Sequence, residues 1–131
     1  MRKSTLATIL FLLVVCSCSN DKTYPSTFKM RVGQTVLIGS GVSLTMDSIS
    51  DSRCPSNVDC IWQGVAIVQF TIHQQTEVTH FALNTIVDDA YSGGKPVAGY
   101  VFMLLQLSPY PVNGVFLKPG DYEADVRVWK Q

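Results

Sequence analysis

The sequence predicts an all-β domain, an antiparallel sandwich of about seven strands. Three observations carry that expectation. Short runs alternate apolar and polar residues, glycine, proline and aspartate separate the runs, and neither a helical period nor an internal repeat occurs anywhere in the chain. A length of 131 residues suits one domain with one core.

The elements follow in order. FKMRV, from Phe28, alternates until Gly33. TVLIG is a short apolar strand ending at Gly39. Val42, Leu44 and Met46 then alternate with Ser43, Thr45 and Asp47, and this strand runs into the segment DSRCPSNVDCIWQG at 51–64. The longest strand is expected to start at its second cysteine, CIWQGVAIVQFTIH. There Trp62, Gly64, Ala66, Val68, Phe70 and Ile72 would share the core face. Gln75 and Thr76 make a hairpin connection, and EVTHFALNTIV returns with Phe81 and Leu83 inward. DDAYSGG at 88–94 is a loop that Lys95-Pro96 extends. GYVFMLLQL is apolar on both faces, as a central strand covered on both sides would be, and PYP ends it. Pro119-Gly120 suits the centre of a type II turn. In the last strand Tyr122, Ala124, Val126 and Val128 face in, while Glu123, Asp125, Arg127 and Trp129 face out. The economical arrangement is a sandwich of immunoglobulin-like kind, with its cysteines placed locally rather than on distant strands.

The N-terminus is organised differently. Arg2 and Lys3 precede the uncharged run Leu6 to Val15, which has the form of a signal peptide and is too short to span a bilayer. The run ends in VCSC, with Val15 three residues before Cys18 and Ser17 directly before it. This resembles the lipobox of bacterial lipoproteins. The resemblance implies a leader over 1–17, a lipidated tether over 18–27 and a domain over 28–131. It also implies acyl chains on Cys18 that anchor the chain to a membrane without crossing it. Ser19 after Cys18 favours the outer membrane under the sorting rule of that class. Loss of Arg2 and Lys3 with the leader leaves eight basic against ten acidic residues, a net charge of −2. No basic run is present, so nucleic acid and anionic headgroups are not expected as partners.

Four cysteines are present. Cys16 leaves with the leader and Cys18 is lipidated, so Cys54 and Cys60 remain as an even pair in an oxidising compartment, where a disulfide is the default. A zinc knuckle needs four ligands at knuckle spacing, and a thioredoxin-like redox pair needs two intervening residues and a following helix. Neither pattern is met. A staple fits the neighbours. Pro55, Ser56 and Asn57 favour a tight excursion, Asp51 and Ser52 can accept from loop N–H groups, and Gly64 permits a bulge or a close approach. Arg53 and Asp59 are placed to pair across the loop, and the Trp62 ring is placed to cover the sulfurs.

DSRCP, four residues, Cys60, one residue, Trp62, one residue, Gly64 is similar to a motif of small bacterial envelope lipoproteins. Their chains close with strands like Tyr100 to Leu107, then PYP and GDYEADVRV. The resemblance spans Val42 to the C-terminus and implies a secreted β-sandwich with a disulfide. It implies no activity.

Other chemistry is sparse. His73 and His80 would lie diagonally on an outer face, solvated rather than metal-bound. Asp88-Asp89 falls short of a calcium ligand set, and no nucleophile motif occurs. Tyr91, Tyr110 and Trp129 are candidate exposed aromatics for sugar or protein contact. Neither catalytic residues, a cofactor nor a metal is expected. The sequence therefore reads as a non-enzymatic, lipid-anchored envelope protein with a binding or structural role, its partner an envelope protein or glycan. The candidate binding residues are Asp51, Arg53, Asp59, Trp62, Tyr91 and Tyr110. The alternative is a protease-inhibitor-like module that presents loops 51–60, 88–99 and 109–119 to a protease cleft.

Overall fold

A computed structural model describes residues 24–86 and 93–131. The expected leader over 1–17, Cys18, Asp88-Asp89 and Tyr91 lie outside the described residues. Among the described residues eight strands form: β1 Ser26–Arg31, β2 Thr35–Gly39, β3 Val42–Asp51, β4 Ala66–Gln74, β5 Glu77–Asn84, β6 Lys95–Val97, β7 Tyr100–Ser108 and β8 Glu123–Lys130. They make two antiparallel four-stranded sheets, β1-β8-β7-β6 and β2-β3-β4-β5. The expected sandwich is therefore what forms, and the strand order within it is two meanders with β1 added beside β8. Strand β1 begins at Ser26, so Ser26 and Thr27 belong to the sheet. Lys95-Pro96, expected as loop, lies in the short edge strand β6.

The inner faces follow the alternation. Ala124, Val126 and Val128 of β8 and Met30 of β1 meet Leu44, Met46, Val68 and Phe70 of the other sheet in one buried cluster. Phe81 bridges the layers, with ring centroids 5.6 Å from Phe70 and 4.7 Å from Phe102. The hairpin at Gln75-Thr76 sets Thr71 opposite His80 and His73 opposite Val78, the expected register.

Two register shifts shape one end of the sandwich. Strand β3 slips against β4 between Met46 and Ser48. Alternation restarts after the extra residue, so Ile49 pairs with Val68 and Asp51 with Ala66, whose side chains are core. The bulge thus turns the Asp51 carboxylate inward. Strand β7 slips against β8 between Leu104 and Gln106, which returns Leu107 to the core and leaves Leu105 exposed. The expectation that β7 is covered on both faces along its whole length fails for that reason.

Three more expectations are corrected. The long strand starts at Ala66, not Cys60. Gly64 adopts a φ of +70°, which breaks the alternation, and Trp62 is 67% exposed instead of core. Pro119-Gly120 enters a single turn of 3-10 helix, Pro119–Asp121, closed by the Asp121 N–H on the Lys118 carbonyl at 2.9 Å, so no type II turn forms.

The inward register of β8 yields a test. Val126→Ala should cost on the order of 1–3 kcal/mol through lost burial and a cavity. Trp129→Ala, half-buried on the outer face, should cost within about 1 kcal/mol. Denaturant melts of both variants measure the difference; equal losses would show that the assigned faces are wrong.

Candidate functional site: a braced pair of loops

The segment after β3 continues the β3–β4 pairing in irregular form. Ser52 N–H donates to the Val65 carbonyl at 2.9 Å and Cys54 N–H to the Gln63 carbonyl at 2.8 Å. The Ser52 hydroxyl adds a bond to Val65 O at 2.7 Å. Gly64 is required here, because a Cβ on it would stand 1.9 Å from Ser52 O. Beyond this, Cys54 and Cys60 form a disulfide with Cα atoms 6.0 Å apart. The staple reading of the cysteines holds, without the tryptophan cover.

Asp51 and Arg53 form the base. The Arg53 Nη2 lies 2.7 Å from Asp51 Oδ2 and Nε lies 2.9 Å from Oδ1, a two-pronged pair. The Asp51 carboxylate also accepts the Arg53 backbone N–H at 3.0 Å, as expected of a loop-capping aspartate. Their side chains are only 7% and 5% exposed. Arg53 spends its remaining donors on the far sheet: Nη1 donates to Leu107 O at 3.0 Å and Nη2 to Pro109 O at 3.1 Å. Its guanidinium sits 4.6 Å from the Tyr110 ring centroid. Asp59 takes no part, so the expected Arg53–Asp59 pair is corrected to Arg53–Asp51. Asp51 wins because the β3 bulge brings its carboxylate to the same buried end as Arg53, while Asp59 is exposed in the disulfide loop.

Burial pushes the Asp51 carboxyl up, but the hydrogen bonds and charge of Arg53 and a hydrogen bond from Tyr122 outweigh it and hold the carboxyl below its ordinary value. Tyr122 moves the opposite way: burial and the Asp51 charge raise its phenol.

The disulfide loop is also tied sideways to the β7–β8 connection. Ser56 N–H donates to Pro111 O at 3.0 Å, Asn113 N–H to Asn57 Oδ1 at 2.7 Å, and Asn57 Nδ2 to Asn113 O at 3.4 Å. The two loops therefore form one tip. Large apolar side chains stand on its surface: Ile61 is fully exposed, Phe116 is 85% exposed, and Val58, Tyr110, Val112 and Val115 are also exposed, among the polar Ser56, Asn57, Asp59 and Asn113. Trp62 and Tyr110 of the candidate residues are exposed on this tip. Arg53 and Asp51 lie buried beneath it, and Asp59 sits on its surface. Sequence reasoning missed Phe116, Val115 and Ile61. Their signal was apolar residues inside a Pro/Asn/Gly-rich connection, where no strand could bury them.

On the outer face of the β2-β3-β4-β5 sheet, Asp47, Thr71 and His80 are joined by hydrogen bonds. Thr71 donates its hydroxyl proton to Asp47 Oδ2 at 2.6 Å and meets His80 Nδ1 at 2.7 Å, which requires Nδ1–H to be the donor. In a nucleophile relay the hydroxyl proton would point to the imidazole. Among the described residues no group of three or more His, Cys, Asp or Glu is arranged to hold a metal ion. Comparison with protein-family models, curated proteins and solved structures returns no match.

The Asp51 shift sets a pH window. In acid the unfolded chain protonates first, near the ordinary value of about 3.9. The stabilisation by the ion pair is thus complete above that pH and is lost as pH falls through the lower folded value. Asp51→Asn should remove this part of the acid limb and cost about 3–5 kcal/mol at neutral pH, since Arg53 stays buried without its partner. Urea melts across the acid range check both; an unchanged acid limb in Asp51→Asn would contradict the assignment.

Proposed function

We propose that the protein is a non-catalytic, lipid-anchored binding domain of the bacterial cell envelope that engages a protein partner through its paired loops. The observation that carries this reading is the tip itself. Ile61, Trp62 and Phe116 protrude from loops held by a disulfide, by three hydrogen bonds between loops and by a buried arginine. Such loops are ordered before binding, so association costs little further conformational entropy. Burial of each large apolar side chain contributes roughly 1.5–3 kcal/mol. The aliphatic content of the tip favours a protein over a glycan, since sugar recognition rests on aromatic faces with several polar ligands.

Lipidation at Cys18 is supported by the VCSC sequence after a basic start and an apolar run. Ser19 supports placement in the outer membrane. The resemblance to small envelope lipoproteins through DSRCP and the cysteines that follow supports the same compartment. A second reading, an inhibitor of an extracytoplasmic protease, draws support from one feature: loops 51–60 and 109–119 are tied together by hydrogen bonds and carry exposed apolar side chains, so both can be presented to one cleft. Inhibition by the mature chain in a protease panel, abolished by Phe116→Asp, would favour it.

Photo-crosslinkers placed in cells at Ile61 or Phe116 should give one discrete adduct, and crosslinkers at His73 on the outer face of β4 should not. Ile61→Asp with Phe116→Asp should abolish the adduct formed from Trp62 without lowering the melting temperature. Cys18→Ser should abolish labelling by a tagged fatty acid. Equal adducts at all positions would overturn the tip, and retained labelling would overturn the anchor.

A further inference from the structure

The end of the sandwich opposite the tip is built from different chemistry. The chain enters there through Tyr24 and Pro25 and leaves through Lys130, and these residues enclose an open groove of about 490 Å³ with Arg127 and Trp129. The groove is fixed to both sheets. The Tyr24 hydroxyl donates to the Ile38 carbonyl of β2, and its ring centroid lies 6.1 Å from that of Tyr100 in β7. Gly39 is a position where that packing leaves no room: a Cβ would stand 2.4 Å from the Tyr100 hydroxyl oxygen.

Charge is unevenly distributed along the outer face above it. Glu123 and Asp125 are taken up by Lys29 and Arg31, at 2.9–3.4 Å. Arg127 and Lys130 make no ion pair among the described residues, and Lys130 Nζ rests 5.8 Å from the Tyr24 ring centroid. Two cations with no carboxylate partner among the described residues thus stand beside a tyrosine and a tryptophan, each with an apolar body and a polar edge. Arginine and lysine bind phosphate oxygens, and such rings settle where water meets hydrocarbon.

We propose that this groove is a membrane foot: Arg127 and Lys130 bind the phosphates of lipid headgroups in the anchoring membrane, with Trp129 and Tyr24 at the interface. The proposal rests on lipidation at Cys18. From Cys18 to Tyr24 the chain reaches roughly 20 Å when extended, which holds the groove at the headgroups. The eight residues of β8 carry the opposite end about 27 Å farther out. The foot would thus stand the domain upright and present the tip away from the lipid. Overall charge does not disclose this, because Glu123 and Asp125 farther along the same strand offset the two cations.

The chain has two tryptophans, one at each end, which provides the test. The mature lipidated chain is reconstituted in vesicles of phosphatidylcholine with phosphatidylglycerol, a fraction of the lipids carrying bromine just below the headgroup. With Trp62→Phe, emission from Trp129 should be quenched strongly. With Trp129→Phe, emission from Trp62 should be nearly unaffected. Arg127→Gln with Lys130→Gln should lower Trp129 quenching about twofold or more, as should omission of the anionic lipid. Failure of the chain to float with vesicles would remove anchor and foot together. Flotation with Trp129 unquenched, or with Trp62 quenched equally, would overturn the foot and leave the anchor standing. If inorganic phosphate competes away the quenching at a concentration that leaves flotation unchanged, phosphate recognition is supported. If inorganic phosphate changes Trp129 emission equally without vesicles, the ligand is free phosphate and the lipid assignment falls.

Discussion

The buried pair of Asp51 and Arg53 is the constraint on which the tip depends. Asp51 ends β3 in one sheet, while the carbonyls that Arg53 reaches lie near the end of β7 in the other, at Leu107, and just beyond it, at Pro109. One guanidinium therefore closes the open end of the sandwich and seats Tyr110 above it. A buried ion pair of this kind is no cheap source of stability, since both ions lose their water. Its evident return is geometric: three bonds to Asp51 hold Arg53 in place, and two more, to Leu107 O and Pro109 O, fix the start of one loop against the start of the other.

The bulges make that pair possible. Without the slip in β3, Asp51 would face solvent and Ser50 would face Ala66's side. Without the slip in β7, Leu107 would leave the core and its carbonyl would move with it. Above this base the disulfide and the Asn57–Asn113 contacts finish the tip at lower cost, because the loop ends are already fixed. A rigid apolar projection at one end and a basic aromatic groove at the other give the sandwich a direction. That polarity, more than any pocket, is what the fold offers to function.

Much of this was legible from the residues and some was not. The strand class and the inward set of β8 follow from unbroken alternation. The register of β4 with β5 follows from a short hairpin. The disulfide follows from cysteine arithmetic once the expected leader and lipidated cysteine are set aside. Trp62 was misplaced because alternation was carried backward through Gly64, whose positive φ resets the face. Unbroken alternation along β3 turns Asp51 outward, so the sequence offers Asp59 to Arg53; the bulge that turns Asp51 inward and the carbonyl partners more than fifty residues away are not local information. The groove of Tyr24, Arg127, Trp129 and Lys130 joins the first and last strands, which no local pattern brings together. The type of each element was local information; the faces beyond a bulge or a left-handed glycine were not.

A double-mutant cycle on Asp51 and Arg53 tests the central claim most directly. Asp51→Ala, Arg53→Ala and the double variant are compared with the parent by urea unfolding at neutral pH. The account predicts an interaction energy on the order of 2–3 kcal/mol between the two positions, because each single variant strands a buried charge that the double variant removes. Losses that add to within about 0.5 kcal/mol would show that the two side chains act independently and that the tip is held by something else.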